Sequence, residues 1–122
     1  MSFSYNKHEK LKSRKLIKQL FEEGKSISVF PLRLIYLKVE HKGGHVLKTG
    51  VSVSKRNFKS AVDRIKIKRL MREAYRLNKA ILYNKIDEKY VFMFIYLGKK
   101  EVDYHIIEEK MQIILQKFLQ LK

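Results

Sequence analysis

The chain has 122 residues, of which 45% are hydrophobic and 33% are charged, the balance of a globular domain with room for a single core. Its 28 Lys and Arg residues outnumber 12 Asp and Glu residues, and the resulting net charge of +16 favours a polyanionic partner. The absence of Cys excludes disulfides, thiolate nucleophiles and Cys-based zinc sites. The length predicts one domain over residues 1–122. The absence of Cys fits a reducing cytoplasm, which is the location that we expect. No apolar stretch is long enough to span a membrane, so we expect no membrane contact.

The first predicted elements are an irregular basic segment over residues 1–12 and a short amphipathic helix. Ser13 can cap this helix, and Gly24 ends it. The apolar side of the helix is formed by Leu16, Ile17, Leu20 and Phe21. We expect this side to pack on a sheet.

The strands are predicted from alternation and from apolar runs. Residues 32–40 alternate as a strand with both faces at least partly covered, and a further short strand is compatible with residues 26–29. Residues 41–45 have the composition of a hairpin connection, and residues 46–54 form the returning strand. Residues 90–97 are apolar on both faces, which is typical of a central strand.

Two further helices complete the predicted order of elements, α–β–β–α–β–α. One is the long basic helix that precedes the central strand, and the other is an amphipathic helix that closes the chain. The apolar side of the closing helix is formed by Ile107, Met111, Ile114, Phe118 and Leu121. The sequence therefore predicts an α+β fold in which three helices pack on a small mixed sheet.

The basic helix is the most informative segment. Residues 55–79 contain ten Lys or Arg and only two acidic residues, Asp63 and Glu73. An apolar stripe is formed by Ile67, Leu70, Met71, Ala74 and Leu77, and the opposite side carries Arg64, Lys68, Arg72 and Arg76, with Arg69 beside them. Ser60 can cap the helix, with Asp63 at the capping-box position. Stacked like charges destabilise a helix, so this pattern favours a nucleic-acid surface over an ordinary solvated face.

The sequence offers no convincing catalytic group. Asp63 and Glu73 lie ten residues apart, and no Ser has a base arranged beside it. His41 and His45 are more typical of a solvated turn than of a metal site. We therefore expect no catalytic residue, no metal site and no cofactor bound by the protein alone.

Two aromatic residues are candidates for stacking on bases. Phe21 is equally compatible with a core position and with a groove. Tyr36 favours a groove, because its hydroxyl needs water or a partner.

The segment GVSVSKRNFKSAVDRIKIKRLMREAYR, from Gly50 to Arg76, resembles the bacterial ribonuclease P protein component. In that family a strand of the form G-x-S-V-S-K leads into A-V-x-R-N-R-x-K-R-x-x-R-E. The segment LKSRKLIKQLFEEGKS is similar to the first helix of the family, with Phe21 and Gly24 where an aromatic residue and a glycine are expected. The resemblance covers nearly the whole chain.

The resemblance implies a compact α+β fold with a left-handed β–α–β crossover through the basic helix. It also implies that a catalytic RNA subunit, using magnesium, removes the 5′ leader from precursor transfer RNA. The protein would grip the single-stranded leader, stabilise the RNA fold and be inactive alone. The expected partners are therefore the catalytic RNA and precursor transfer RNA, with no role for DNA.

The resemblance assigns three groups of site residues. The basic motif facing RNA would comprise Arg64, Lys66, Lys68, Arg69 and Arg72. The preceding loop would extend this face through Lys55, Arg56 and Lys59. A leader cleft between the sheet and the first helix would be lined by Ile17, Phe21 and Tyr36.

The chain departs from the family pattern at three positions. Ile65 replaces an Asn that can donate and accept hydrogen bonds, and Lys66 replaces an Arg that can grip phosphate bidentately. Ile17 lies where the family often carries an aromatic residue. On the helical wheel Ile65 falls between Arg72 and Arg76, so we expect its side chain to be at least partly exposed.

Two alternative functions stay open at this point. A general RNA-binding or ribosomal-type protein could use a similar fold without any processing role. A DNA-binding helix is less compatible, because base readout favours Asn or Gln on the helix, and here Asn57 and Asn78 only flank it.

Overall fold

The computed structural model describes residues 9–40, 47–83 and 85–121. The described elements are, in chain order, α1 (Arg14–Glu23), β1 (Lys25–Val29), β2 (Leu32–Lys38), β3 (Leu47–Val53), α2 (Ala61–Asn78), a 3-10 turn (Lys79–Ile81), β4 (Tyr90–Tyr96) and α3 (Tyr104–Leu121). The predicted α+β fold with three helices is confirmed. The short strand that was compatible with residues 26–29 is present as β1.

The four strands form one mixed sheet in the order β1-β2-β4-β3. Strand β2 is antiparallel to β1 and β4, whereas β3 is parallel to β4, so α2 connects two parallel neighbours as a β–α–β crossover. The predicted hairpin pairing of β2 with β3 is wrong, because β4 lies between them. The strand that is apolar on both faces takes the centre, where both its faces and both its edges are covered. The predicted connection over residues 41–45 lies outside the described residues.

Alternation along β2 and β4 divides the core into two layers. Leu34 and Phe94 face the layer that α2 and α3 cover. Ile35 and Met93 face the opposite layer, which contains Leu20 of α1. The sheet is therefore covered on both faces, as the alternation over residues 32–40 predicts.

Helix α1 begins and ends where its local signals predict. The Ser13 hydroxyl accepts a hydrogen bond from the Leu16 N–H at 3.2 Å, and the Gly24 N–H donates to the Leu20 carbonyl at 2.8 Å. Gly24 has an extended backbone, so its value here is its small size rather than a left-handed conformation. A Cβ at this position would come within 2.7 Å of Cγ2 of Ile35. The glycine therefore lets the connection from α1 to β1 pass close to Ile35 of β2.

Helix α2 buries a stripe that is rotated slightly from the predicted one. Its Ser60 cap is confirmed, because the hydroxyl accepts from the Asp63 N–H at 3.5 Å. Ile67, Met71 and Ala74 are buried, as predicted, together with Tyr75 and Asn78, and Leu70 is half-buried. Leu77 is 38% exposed, so its assignment to the core stripe was wrong.

A polar network joins the ends of α2 and α3. The Asn78 amide and the Tyr104 hydroxyl both donate to Oε2 of Glu108, at 3.3 and 3.2 Å. The Gln112 amide donates to Oδ1 of Asn78 at 2.9 Å. Burial, followed by the charge of Glu108, raises the pKa of Tyr104 to about 12. The Tyr104 phenol therefore stays protonated at neutral pH and can keep donating its hydrogen bond to Glu108.

The segment before α1 adds a short extension to the sheet. The Leu11 N–H donates to the Thr49 carbonyl at 2.9 Å, and the Thr49 N–H donates to the Glu9 carbonyl at 2.7 Å. The Glu9 carboxylate also meets the ammonium of Lys79 at 2.7 and 2.9 Å, and both side chains are buried. Residues 9–11 are therefore ordered along β3, whereas the sequence predicted an irregular segment. Residues 1–8 lie outside the described ranges.

Candidate nucleic-acid interface

The exposed side of α2 carries a row of cations at a spacing of four residues: Arg64, Lys68 and Arg72. One helical turn separates successive members, so their charges lie along one line of the surface. Arg64 is partly committed to the fold, because its guanidinium donates to the carbonyls of Phe58 and Lys59 at 2.8 and 3.0 Å. The row thus binds the loop before the helix as well as presenting charge.

That loop presents the predicted cations Lys55, Arg56 and Lys59, and all three are exposed. Phe58 is buried in the middle of the loop, with its ring 5.8 Å from the ring of Tyr96. This anchor fixes the loop at the N-terminal end of α2, where the helix dipole also favours anions. The loop cations therefore continue the charge of the α2 row.

The remaining cations of α2 are less available or point elsewhere. The ammonium of Lys66 meets Oε2 of Glu101 at 3.3 Å, and helix geometry places Lys66 about 160° around the axis from Arg64. The structure therefore separates Lys66 from the row. Arg76 binds Glu73, which lowers the pKa of that carboxyl through their hydrogen bond. Arg69 is exposed.

Ile65 projects from the exposed side of α2. Its side chain is 54% exposed, so the prediction that it lies outside the core is confirmed. Val62, one turn earlier, is 74% exposed. The basic face therefore includes apolar spots between its cations.

A groove of about 420 Å³ lies on the α1 side of the sheet, and we call it the α1 groove. Ile17 of α1 forms one wall, and the segment before α1 contributes Leu11 and Lys12. Met93 and the middle of β3 also line it. Arg72 of α2 reaches the same groove, so the α2 row and the groove meet at this side chain.

The three predicted cleft residues have different outcomes. Ile17 lines the α1 groove, and its assignment to a leader cleft stays a prediction. Phe21 follows Ile17 by one turn, and its ring is 51% exposed beyond the groove. The placement of Tyr36 was wrong: it is 8% exposed on the opposite face of the sheet, with its ring 5.0 Å from that of Phe118. Strand alternation groups Tyr36 with Leu34 under α3 and away from α1.

Several groove residues were not predicted as site residues. Leu11 and Lys12 belong to the segment predicted to be irregular, and the pairing of residues 9–11 with β3 is a long-range contact. Gly50 carried a usable signal, because a glycine inside a strand often marks a close approach. A Cβ there would lie 3.1 Å from Cε of Met93 and 3.6 Å from Cβ of Leu11, inside the groove.

The described ranges contain neither a metal-binding cluster nor a membrane-spanning helix. No three His, Asp or Glu side chains there come together in a way that could hold a metal ion. Within the same ranges, no helix combines the length and the apolar character needed to cross a bilayer. The expected cytoplasmic location stays a prediction.

Comparison with known proteins decides the family. The sequence profile described as Ribonuclease P matches residues 5–119. The chain belongs to the ribonuclease P protein family. It is 38% identical over 115 residues to the ribonuclease P protein component of Porphyromonas gingivalis, a match that covers 91% of this chain and 83% of the relative. It is 33% identical over 122 residues to that of Dictyoglomus thermophilum, with 98% and 96% covered.

Solved structures agree with this assignment. The ribonuclease P protein of Thermotoga maritima superposes with a TM-score of 0.71 at 26% identity, covering 89% of this chain and 96% of that protein. The protein from Staphylococcus aureus has the same fold, with a TM-score of 0.70 at 20% identity. This chain is therefore a subunit of the endoribonuclease ribonuclease P, acts in 5′ processing of transfer RNA, and has the RNA of that enzyme as its partner.

Proposed function

We propose that this chain acts as a single RNA-binding domain that binds the catalytic RNA and holds the 5′ leader of precursor transfer RNA in the α1 groove. The observation that carries the proposal is the position of Arg72. It belongs to the cation row of α2 and also lines the α1 groove, so a strand lying in the groove keeps its phosphates near the row. Ile17 supplies an apolar wall for bases in the same place.

The charged and the apolar groups of the α1 groove have different roles. Arg72 and Lys68 attract phosphates as fixed positive charges, and Lys12 adds a cation on the other side of the groove. Apolar walls accept the faces of unpaired bases without reading their sequence. The groove therefore suits a single strand of variable sequence, which is what a leader offers.

Reconstitution with the cognate catalytic RNA tests the proposal. We expect the protein to allow cleavage of precursor transfer RNA at magnesium concentrations at which the RNA alone is nearly inactive. Arg72→Ala should weaken binding of precursor more than binding of mature transfer RNA, because only the precursor carries a leader. Lys117→Ala, which removes one exposed charge from α3, is the matched control. Equal effects of Arg72→Ala on both RNAs would contradict the leader assignment.

We also propose that the protein alone does not cleave. The cations around the α1 groove bind and orient phosphates, and the described residues that line the groove include no Asp, Glu or His that could act as a general base toward water. RNA-free protein incubated with precursor transfer RNA and magnesium should leave it intact. Specific cleavage at the mature 5′ end by such a preparation would overturn this part of the proposal.

A further inference from the structure

A second groove lies at the end of the sheet where β4 leaves it, and we call it the Phe30 groove. It encloses about 400 Å³, within the range of pockets that take small ligands. Phe30 and Pro31 of the β1–β2 turn form one side, and the chain from Tyr96 to Lys100 forms the other. No part of the α1 groove contributes to it.

The walls of the Phe30 groove are fixed by contacts in the core. The Leu97 N–H donates to the Pro31 carbonyl at 2.7 Å, which ties the two sides together. The hydroxyl of the buried Tyr96 donates to the Lys100 carbonyl. Gly98 keeps the space beside Tyr96 clear, because a Cβ there would come within 2.8 Å of the Tyr96 ring. Hydrogen bonds and close packing therefore hold the two sides of the Phe30 groove in place.

Phe30 is the unusual residue of this groove. Its side chain is 69% exposed, although a Phe side chain buries a large apolar area when it packs. An exposed ring on the rim of an apolar groove offers a flat face for stacking. Unpaired bases stack on such rings with little dependence on sequence.

The charge around the groove selects a polyanion. Lys99 and Lys100 are exposed on its rim. The loop before α2 adjoins it, because the Asn57 amide donates to the Gly98 carbonyl at 3.4 Å. That loop carries Lys55, Arg56 and Lys59, and the nearby carboxylate of Glu101 is paired with Lys66.

We propose that the Phe30 groove binds an unpaired nucleotide of the catalytic RNA, with its base stacked on Phe30 and its flanking phosphates on Lys99 and Lys100. The groove is continuous with the loop cations at the N-terminal end of α2, and it is separate from the α1 groove assigned to the leader. The assignment to RNA rests on the partnership of this family with its RNA. The assignment to the catalytic RNA, and not the leader, rests on the proposed function.

Affinity measurements with three variants test the stacking and the charge separately. Phe30→Ala should lower the affinity of the full chain for the catalytic RNA by about five-fold or more, and Phe30→Tyr should retain it, because both rings stack. The double variant Lys99→Ala/Lys100→Ala should lower the affinity as well. It should also make the negative slope of log affinity against log salt shallower by about 1.4, as expected for two phosphates. Phe30→Ala should leave that slope unchanged.

The control double variant is Lys85→Ala/Lys117→Ala, which removes the same charge from other exposed positions. Lys117 lies about 20 Å along α3 from the start of that helix, which adjoins the groove. The control double variant should change the affinity for the catalytic RNA, and the slope of log affinity against log salt, less than Lys99→Ala/Lys100→Ala does. Equal effects would mean that only net charge matters, and the groove would lose its assignment.

A benzophenone side chain introduced at position 30 identifies the strand that occupies the groove. On irradiation of the complex with catalytic RNA and precursor transfer RNA, we expect crosslinks to the catalytic RNA. Crosslinks to the leader would overturn the choice of strand. A second outcome would assign the groove to membranes instead. In that case Phe30→Ala would bind RNA like the parent protein but would no longer bind vesicles of equal parts phosphatidylserine and phosphatidylcholine. If the parent protein neither binds the catalytic RNA nor supports cleavage, the proposed function fails first.

Discussion

At the scale of single residues, the structure gives a direct prediction for Ile65, the residue that the resemblance pairs with an Asn of the family motif. The side chain is 54% exposed, and the buried positions Ile67 and Met71 do not depend on it. Ile65→Asn should therefore change the free energy of unfolding by no more than about 0.5 kcal/mol. It should strengthen RNA binding by about 0.5–1.5 kcal/mol if the amide reaches a partner.

Thermal unfolding and RNA binding of Ile65→Asn check both parts of this prediction. Ile65→Ala is the matched control, because it shortens the side chain without adding an amide. A loss of more than about 2 kcal/mol in stability on Ile65→Asn is the cost expected for a buried site, and it would contradict the helix orientation described above.

Arg64 and Lys68 lie in one row but should respond differently to substitution. Arg64 donates to two backbone carbonyls of the loop before α2, whereas Lys68 makes no such contact among the described residues. Lys68→Ala should weaken RNA binding and leave the free energy of unfolding unchanged. Arg64→Ala should weaken binding and also destabilise the fold by about 1 kcal/mol, because the loop loses hydrogen bonds. Chemical denaturation measures the stability of each variant, and RNA titration measures its binding. Equal losses of stability in Arg64→Ala and Lys68→Ala would contradict the structural role given to Arg64.

At the scale of elements, the buried ion pair between Glu9 and Lys79 joins the segment before α1 to the end of α2. Their side chains are 9% and 1% exposed. Removing the Glu9 carboxylate takes the salt bridge from the buried ammonium of Lys79, so Glu9→Ala should cost about 3–5 kcal/mol. Because residues 10–12, which follow Glu9 directly, line the α1 groove, the variant should also bind leader RNA more weakly.

A double variant distinguishes loss of the pair from loss of packing. Glu9→Leu combined with Lys79→Met replaces two charges by apolar groups and should recover much of the stability that Glu9→Ala loses. Denaturant unfolding of the three proteins measures this directly. A loss below about 1 kcal/mol for Glu9→Ala would mean that the segment is held by its backbone pairing with β3 alone.

The elements also show what the sequence could predict. The ends of α1 and the start of α2 were predicted because Ser13, Gly24 and Ser60 act on neighbours within a few residues. The central place of β4 was also predicted, from its two apolar faces, but its insertion between β2 and β3 was not, because the hairpin composition of residues 41–45 is a local signal and strand pairing joins distant segments. The pairing of Glu9 with Lys79 joins residues 70 positions apart, and no local pattern marks such a contact.

The candidate site was predicted in part for the same reason. Helical spacing located the cation row and the exposed Ile65 correctly, since one helix carries them all. The prediction for Tyr36 was wrong because strand alternation, and not the need of its hydroxyl for a partner, decides which face the side chain takes, and it turns the ring toward Phe118. The α1 groove itself draws on five separate parts of the chain, so its lining could not be predicted from any one of them.

At the scale of the whole molecule, the net charge of +16 is not evenly available to a partner. Several cations are engaged within the fold: Lys38 with Glu88, Lys66 with Glu101, Arg76 with Glu73 and Lys79 with Glu9. Such pairs contribute nothing to the net charge, so the excess resides in the other Lys and Arg residues. Residues 55–79 alone contribute +8, whereas residues 80–122 contribute +1. The field is therefore concentrated around α2 and the loop before it.

This concentration predicts a strong salt dependence of RNA binding. If the α2 row, the preceding loop and the α1 groove together contact about six phosphates of single-stranded RNA, log affinity should fall against log salt with a slope near −4. Titrations of the parent protein at several potassium chloride concentrations measure the slope, and Lys68→Ala should make it shallower by about 0.7, the value of one phosphate. Lys117→Ala should change it less, because Lys117 lies in the weakly charged last third of the chain. A slope near zero would mean that the cations around α2 are solvated and that binding depends on apolar contacts alone.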